Sequence, residues 1–272
     1  MRRPLSSRHP LLFLLRMRQR QAARWLRWHF GPERFALTRS ATPLPYRIYR
    51  HQSKLRRLHG CDPQEALWQE NKVHNHRLAL ERLDGVLIRP GETLSLWRLI
   101  GRPTAARGFR EGMELHQGRA RGGIGGGLCQ IANLVHWLAL HSPLQVTARA
   151  SHSFDPFPDQ GRVIPYGTGA ALFWNYIDLW VHNPTTEVMQ LRLWLTDTLL
   201  NGELRSAAPH PLRYRIVERA ARFTRSGADW LRENEIWRET YAKGEKTPRD
   251  CRKLYANRVR VLYVPEAAEL GS

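Results

Sequence analysis

The sequence predicts an α+β fold: a mostly antiparallel sheet packed on a buried central helix that starts at a Gly-rich loop, with a helical N-terminal region. Two observations carry this. The elements read in the order helix, strands, one helix apolar on most sides, then several strands. The later strands alternate polar with apolar residues, as a sheet with one covered face requires. At 272 residues, 42% hydrophobic and 10% aromatic, the chain is globular and long enough to bury a core.

Leu11 to Phe30 reads as a basic amphipathic helix. Leu11, Leu15, Ala22, Leu26 and Phe30 form one stripe, and Arg16, Arg20, Arg24 and Arg27 surround it. Either the stripe packs on the body or it meets a lipid interface with Trp25 and Trp28. The apolar run Leu11–Leu15 is too short for a secretion signal or a membrane span. Gly31-Pro32 ends the helix, and Ala41–Tyr49 reads as an extended, Pro-bearing connector. Asp62-Pro63 starts a second helix, with Asp62 as N-cap and Pro63 at the first position, ending near Asp84-Gly85.

Val86–Gly101 reads as strand, turn, then strand or short helix, the turn being Arg89-Pro90-Gly91-Glu92. Cys129 to His141 is the buried helix, stopped by Ser142-Pro143. Gln145–Phe154, Ala171–Asn183, Met189–Leu195 (half-exposed) and Val259–Glu266 read as strands. The natural division is a basic extension over 1–60, a compact α+β domain over 70–205 and a charged extension with one final strand over 206–272.

Charge is concentrated at one end. Residues 1–60 hold fifteen arginines and lysines against the single acid Glu33, a net +14 of the chain's +19. Such an arm suits an anionic membrane surface or an acidic envelope polymer, and no motif supports a specific nucleic-acid partner. Cys61, Cys129 and Cys251 are odd in number and far apart, which excludes a disulfide framework and points to a reducing compartment. The expected location is cytoplasmic, peripheral at the inner face of the membrane. No ligand spacing supports a metal, and no cofactor is expected.

The chemistry centres on GGIGGGLCQ, Gly122 to Gln130. It matches neither the Walker phosphate loop nor the dinucleotide fingerprint. Three readings remain for it. In the first, Cys129 at the helix start is a nucleophile, His152 its base and Asp178 or Asn175 the orienting group, with the Cys129 N–H and the Gln130 side chain holding an oxyanion. In the second, Gly123, Gly125, Gly126, Gly127 and Gln130 form a non-catalytic binding site with aromatic neighbours Phe173, Trp174 and Tyr176. In the third, the loop is purely structural.

The segments PGETLSLW (Pro90–Trp97), GGGLCQIANLVHWLALHSPL (Gly125–Leu144), SHSFDPFPDQGRVIPYGTGA (Ser151–Ala170) and NYIDLWVHNPT (Asn175–Thr185) closely resemble the VanW family. RENEIWRETY (Arg232–Tyr241) resembles the C-terminal part of its members found with B-type vancomycin-resistance clusters. The resemblance implies a glycopeptide-resistance, cell-envelope setting with peptidoglycan or its precursors as the expected partner. It marks Cys129 and Gln130 as motif positions without giving either a role.

Overall fold

The computed structural model describes residues 10–56, 62–116, 119–151, 154–155, 164–227 and 229–265. Its elements are α1 (Pro10–Phe30), β1 (Arg34–Phe35), β2 (Tyr46–Lys54), α2 (Pro63–Leu83), β3 (Val86–Ile88), β4 (Glu92–Ser95), α3 (Leu96–Ile100), β5 (Glu111–His116), β6 (Arg119–Ile124), α4 (Cys129–Leu140), β7 (Gln145–Ala148), β8 (Phe154–Asp155), β9 (Trp180–His182), β10 (Met189–Leu195), β11 (Leu199–Ser206), β12 (Leu212–Ser226), β13 (Asp229–Ala242) and β14 (Asp250–Val261). The α+β expectation holds. Strands pair as β2-β11-β10-β3, β1-β4-β9-β7, β12-β13-β14-β8 and the hairpin β5-β6. Pairing is antiparallel except in the short β1–β4 and β14–β8 pairs.

Helix starts follow their caps. Asp62 accepts a hydrogen bond from Gln64 N at 2.9 Å, and Pro63 opens α2 where its missing N–H costs nothing. Ser95 caps α3 by accepting from Arg98 N at 3.3 Å. The central helix α4 buries Ile131, Leu134, Val135, Leu138 and Ala139 in the main core and packs on β2, β11 and β7. A side chain at Gly202 of β11 would press on Leu134 and Leu138 at 3.0 Å, so glycine there sets how closely helix and sheet approach.

Four expectations change. Ala171–Asn183 is not one strand. Phe173 and Ile177 exchange backbone hydrogen bonds at 3.0 Å across a tight turn, with Asn175 at φ 46°, and only Trp180–His182 is strand. Asn tolerates this left-handed geometry better than most residues, which aromatic content alone did not reveal. Of Gln145–Phe154, β7 ends at Ala148, and β8 covers only Phe154–Asp155. Strand β10 is more enclosed than half-exposed. Gln190 is fully buried, donating to Ser40 O and Thr42 O and accepting from Leu44 N, so the Pro-bearing connector lies across it.

The fourth change is the largest. The charged stretch after residue 206 forms three long antiparallel strands rather than a tail with one strand. Its inward positions on β13 include Arg232 and Asn234, both buried, so apolar alternation was hidden by polar residues facing in.

Helix α1 docks by a face the apolar stripe did not mark. Met17, Gln21, Arg24 and Trp28, spaced i, i+4, i+7, i+11, turn toward the body. Gln21 Nε2 donates to Trp174 O at 3.1 Å, Asn175 Nδ2 donates to Gln21 O at 3.1 Å, and Arg24 lies 4.5 Å over the Trp180 ring. Leu11, Leu15, Leu26 and Phe30 stay exposed on the outer face. Among the described residues no helix is long and apolar enough to cross a membrane.

Candidate functional site

The Gly-rich loop is packed backbone against backbone. A Cβ at Gly112 of β5 would meet Gly126 O at 2.6 Å, and one at Gly126 would collide with Gly112 in return. Gly127 adopts φ 92° with its Cα against the Lys72 side chain. Helix α2 holds this arrangement by its side chains. Asn75 Nδ2 donates to Arg110 O (2.9 Å) and Gly126 O (3.0 Å), while its Oδ1 accepts from Arg110 N (2.8 Å). His76 is fully buried with Nε2 3.1 Å from Gly127 O, and burial lowers its pKa to about 4.

Two of the loop's N–H groups also turn inward: Gly125 N donates to Arg110 O and Gly126 N to Gly123 O. The Glu111 and Glu114 carboxyl groups lie beside Gly122 and Gly123. These two spent donors and the adjacent carboxylates weigh against an anion cradle at Gly122–Gly126.

Cys129 stands at the first position of α4, as expected, but its thiol has a structural partner. Leu172 N donates to Sγ at 3.3 Å, and Sγ donates back to Leu172 O at 3.8 Å. Burial, reinforced by the Glu114 charge, raises the thiol pKa above its ordinary value. One helical turn on, Asn133 Oδ1 accepts from Ala170 N at 2.7 Å. Three residues further, His136 Nδ1 is 2.6 Å from Thr168 O. Cys129, Asn133 and His136 therefore bond Leu172, Ala170 and Thr168 in turn.

The spacing explains the register. Positions i and i+4 advance about 6 Å along a helix, close to the roughly 6.6 Å of two extended residues, while the step from i+4 to i+7 is shorter at about 4.5 Å. In this strap, residues 168–172, the alternate positions face the other way, Ala171 N donating to Ala150 O and Gly169 O accepting from Arg149 Nε. Asn133 and His136 were not singled out from sequence as partners of Cys129. The available signal was their i, i+4, i+7 spacing with Cys129 in an otherwise apolar helix.

The other proposed site residues are engaged elsewhere. Asp178 is buried and accepts from Ser95 Oγ (2.6 Å), Trp97 N (3.2 Å), Leu179 N (2.8 Å) and Trp180 Nε1 (2.6 Å). Burial raises its pKa against these donors and the Arg24 charge. It ties β4 and α3 to the start of β9. Asn175 bonds α1 through Gln21, and Gln130 Nε2 donates to Ser53 Oγ (3.0 Å) and Lys54 O (2.8 Å) of β2. His152 lies outside the described residues, as does Cys61.

With this geometry in place, likeness to known proteins can be read. The family described as "VanW like protein" matches residues 71–205. The chain is 30% identical to the "Vancomycin B-type resistance protein VanW" of Enterococcus faecalis, over 99% of its own length and 98% of that protein's. The chain belongs to the VanW family. The chain is also 25% identical to the uncharacterized protein YoaR of Bacillus subtilis over 126 residues, 45% of this chain and 39% of that one. No solved structure matches. The family match spans the Gly-rich loop, α4, residues 168–172 and Asp178.

Proposed function

We propose that this VanW-family chain is a non-catalytic module that works at an anionic membrane surface, where it serves an envelope polymer or precursor. The observation that carries this is the division of α1 into two faces. Met17, Gln21, Arg24 and Trp28 dock it on the body, while Leu11 (79% exposed), Leu15 (68%), Leu26 (52%) and Phe30 (77%) look outward. Arg16, Arg18 and Trp25 border that outward stripe. A helix fixed by one face with an apolar, arginine-flanked opposite face suits the headgroup boundary of an anionic bilayer.

The geometry favours this over a thiol-dependent enzyme, because the Cys129 thiol is bonded on both sides by Leu172 and its pKa is raised rather than lowered. The printed name of the E. faecalis relative ties that protein to vancomycin resistance. An envelope role at a membrane face is consistent with it. Vesicle flotation tests the reading. The full chain is expected to float with vesicles rich in phosphatidylglycerol, less so as salt rises, and the triple variant L11E/L15E/L26E is expected to stay behind. Equal flotation by that variant would remove the reading.

A further inference from the structure

We propose that the groove between the end of α4, β7 and the C-terminal strands is a phosphate-binding site built on Arg238 and Arg252. The groove encloses roughly 290 Å³, and its polar walls are Gln145, Thr147, Arg238, Arg252 and Tyr255. It lies apart from the Gly-rich loop and from the outer face of α1.

Charge is the first argument. Arg238 of β13 and Arg252 of β14 are directly opposite each other in the strand register. Like charges in that position repel, so a sheet normally avoids them or neutralises them. The same three strands pair five of their other basic residues with acids. Glu233 pairs with Arg222 and Arg258, Glu239 with Arg219, Glu235 with Lys253, and Asp229 with Arg260. Among the described residues neither Arg238 nor Arg252 has such an ion pair. Asp250 acts on Arg238 only through space.

Positioning is the second argument. Arg238 is held in place: its guanidinium lies 5.1 Å over the Tyr214 ring, and Nη1 donates to Ser142 O at 3.4 Å. Its Nε is buried without a hydrogen-bond partner, a cost a folded protein rarely leaves unmet. Arg252 is exposed at the groove's edge, able to close over whatever Arg238 receives. Two guanidiniums lining one groove offer the fork-like donors that a phosphate accepts. Tyr255 is fixed behind them by His136, whose Nε2 lies 3.0 Å from the Tyr255 hydroxyl.

The site makes an unusual demand on its own variants. Replacing one arginine relieves the repulsion and so stabilises the empty protein, whereas a purely structural arginine destabilises when lost. Full-length protein in lipid-free buffer is titrated with inorganic phosphate, pyrophosphate and acetate at constant ionic strength, by calorimetry and thermal melting. Phosphate and pyrophosphate are expected to bind saturably and raise Tm, and acetate is not. Arg252→Gln is expected to raise Tm without added anion by about 1–3 °C and to weaken phosphate binding at least tenfold.

The proposal is overturned by any of three results: phosphate affinity in Arg252→Gln within twofold of the unaltered chain, a fall in its anion-free Tm, or acetate binding as well as phosphate. Phosphate affinity is expected to be unchanged in L11E/L15E/L26E, and vesicle flotation unchanged in Arg252→Gln. Failure of the groove and failure of the membrane face are therefore separate results.

Discussion

The Gly-rich loop with its helix and the outer face of α1 are opposite kinds of surface. In the loop, the carbonyls of Gly126 and Gly127 meet Asn75 and His76, and the polar stripe of α4 is bonded to a strap. On α1, apolar side chains and arginines stand outward with the helix itself already anchored. The loop has the more motif-like sequence, and its hydrogen-bonding groups face the protein itself. The helix has an ordinary sequence and leaves an apolar face uncovered. Groups satisfied internally report on folding, and groups left unsatisfied or uncovered report on partners.

If the loop is a packing device, its disruption should unfold the protein. Gly126→Ala drives a methyl group into the Gly112 backbone, where neither strand nor loop has room to move. A loss of about 3 kcal/mol is expected, measured by urea unfolding. A binding loop open to a ligand would tolerate alanine, so a loss under about 1 kcal/mol would reverse the comparison.

Acid should expose the same contrast. His76, His136 and His141 are buried, with pKa values lowered to about 4, about 3 and about 4, mainly by desolvation, with the Arg149 charge adding to the effect on His136. An unfolded histidine titrates near 6.5. The folded state thus holds fewer protons below that value. The stability these groups contribute is complete above about pH 6.5 and falls as pH drops toward 3–4. Each histidine adds about 1.4 kcal/mol per pH unit to that slope. His136→Gln is expected to flatten the fall between pH 6 and 4 by about 1.4 kcal/mol per pH unit. An unchanged slope would mean that His136 takes up a proton freely and that the strap is loose.

Much of the fold was legible because local rules and tertiary packing agreed. Asp62-Pro63 marked the start of α2, Gly31-Pro32 the end of α1, and the apolar run after Cys129 a buried helix. The failures share a cause. Where polar side chains face inward, as at Arg232, Asn234 and Gln190, hydropathy no longer tells inside from outside. In α1 the docked face is Met17, Gln21, Arg24 and Trp28, a mixed stripe that only the matching Trp174, Asn175 and Trp180 make intelligible. The site was legible as a place and less so as a mechanism. Sequence put Cys129 at a helix start, where exposure would favour a thiolate, and gave no sign that Leu172 would cover it.

Cys129 gives the smallest effect and the sharpest discrimination. Its two contacts with Leu172 involve sulfur, a weak donor and acceptor, so Cys129→Ala is expected to cost only about 1 kcal/mol. Its reactivity is the decisive property. Cys251 is exposed on β14, whereas Cys129 is half-buried and burial raises its thiol pKa. Iodoacetamide near neutral pH is therefore expected to alkylate Cys251 well before Cys129, read by peptide mass spectrometry. Mild denaturant that releases the strap should then bring Cys129 up to the rate of Cys251. Labelling of Cys129 first, in the folded protein, would break the comparison at its centre. It would mean that the strap opens to give a reactive thiolate, and that the loop's dense hydrogen bonding positions a nucleophile instead of closing a fold.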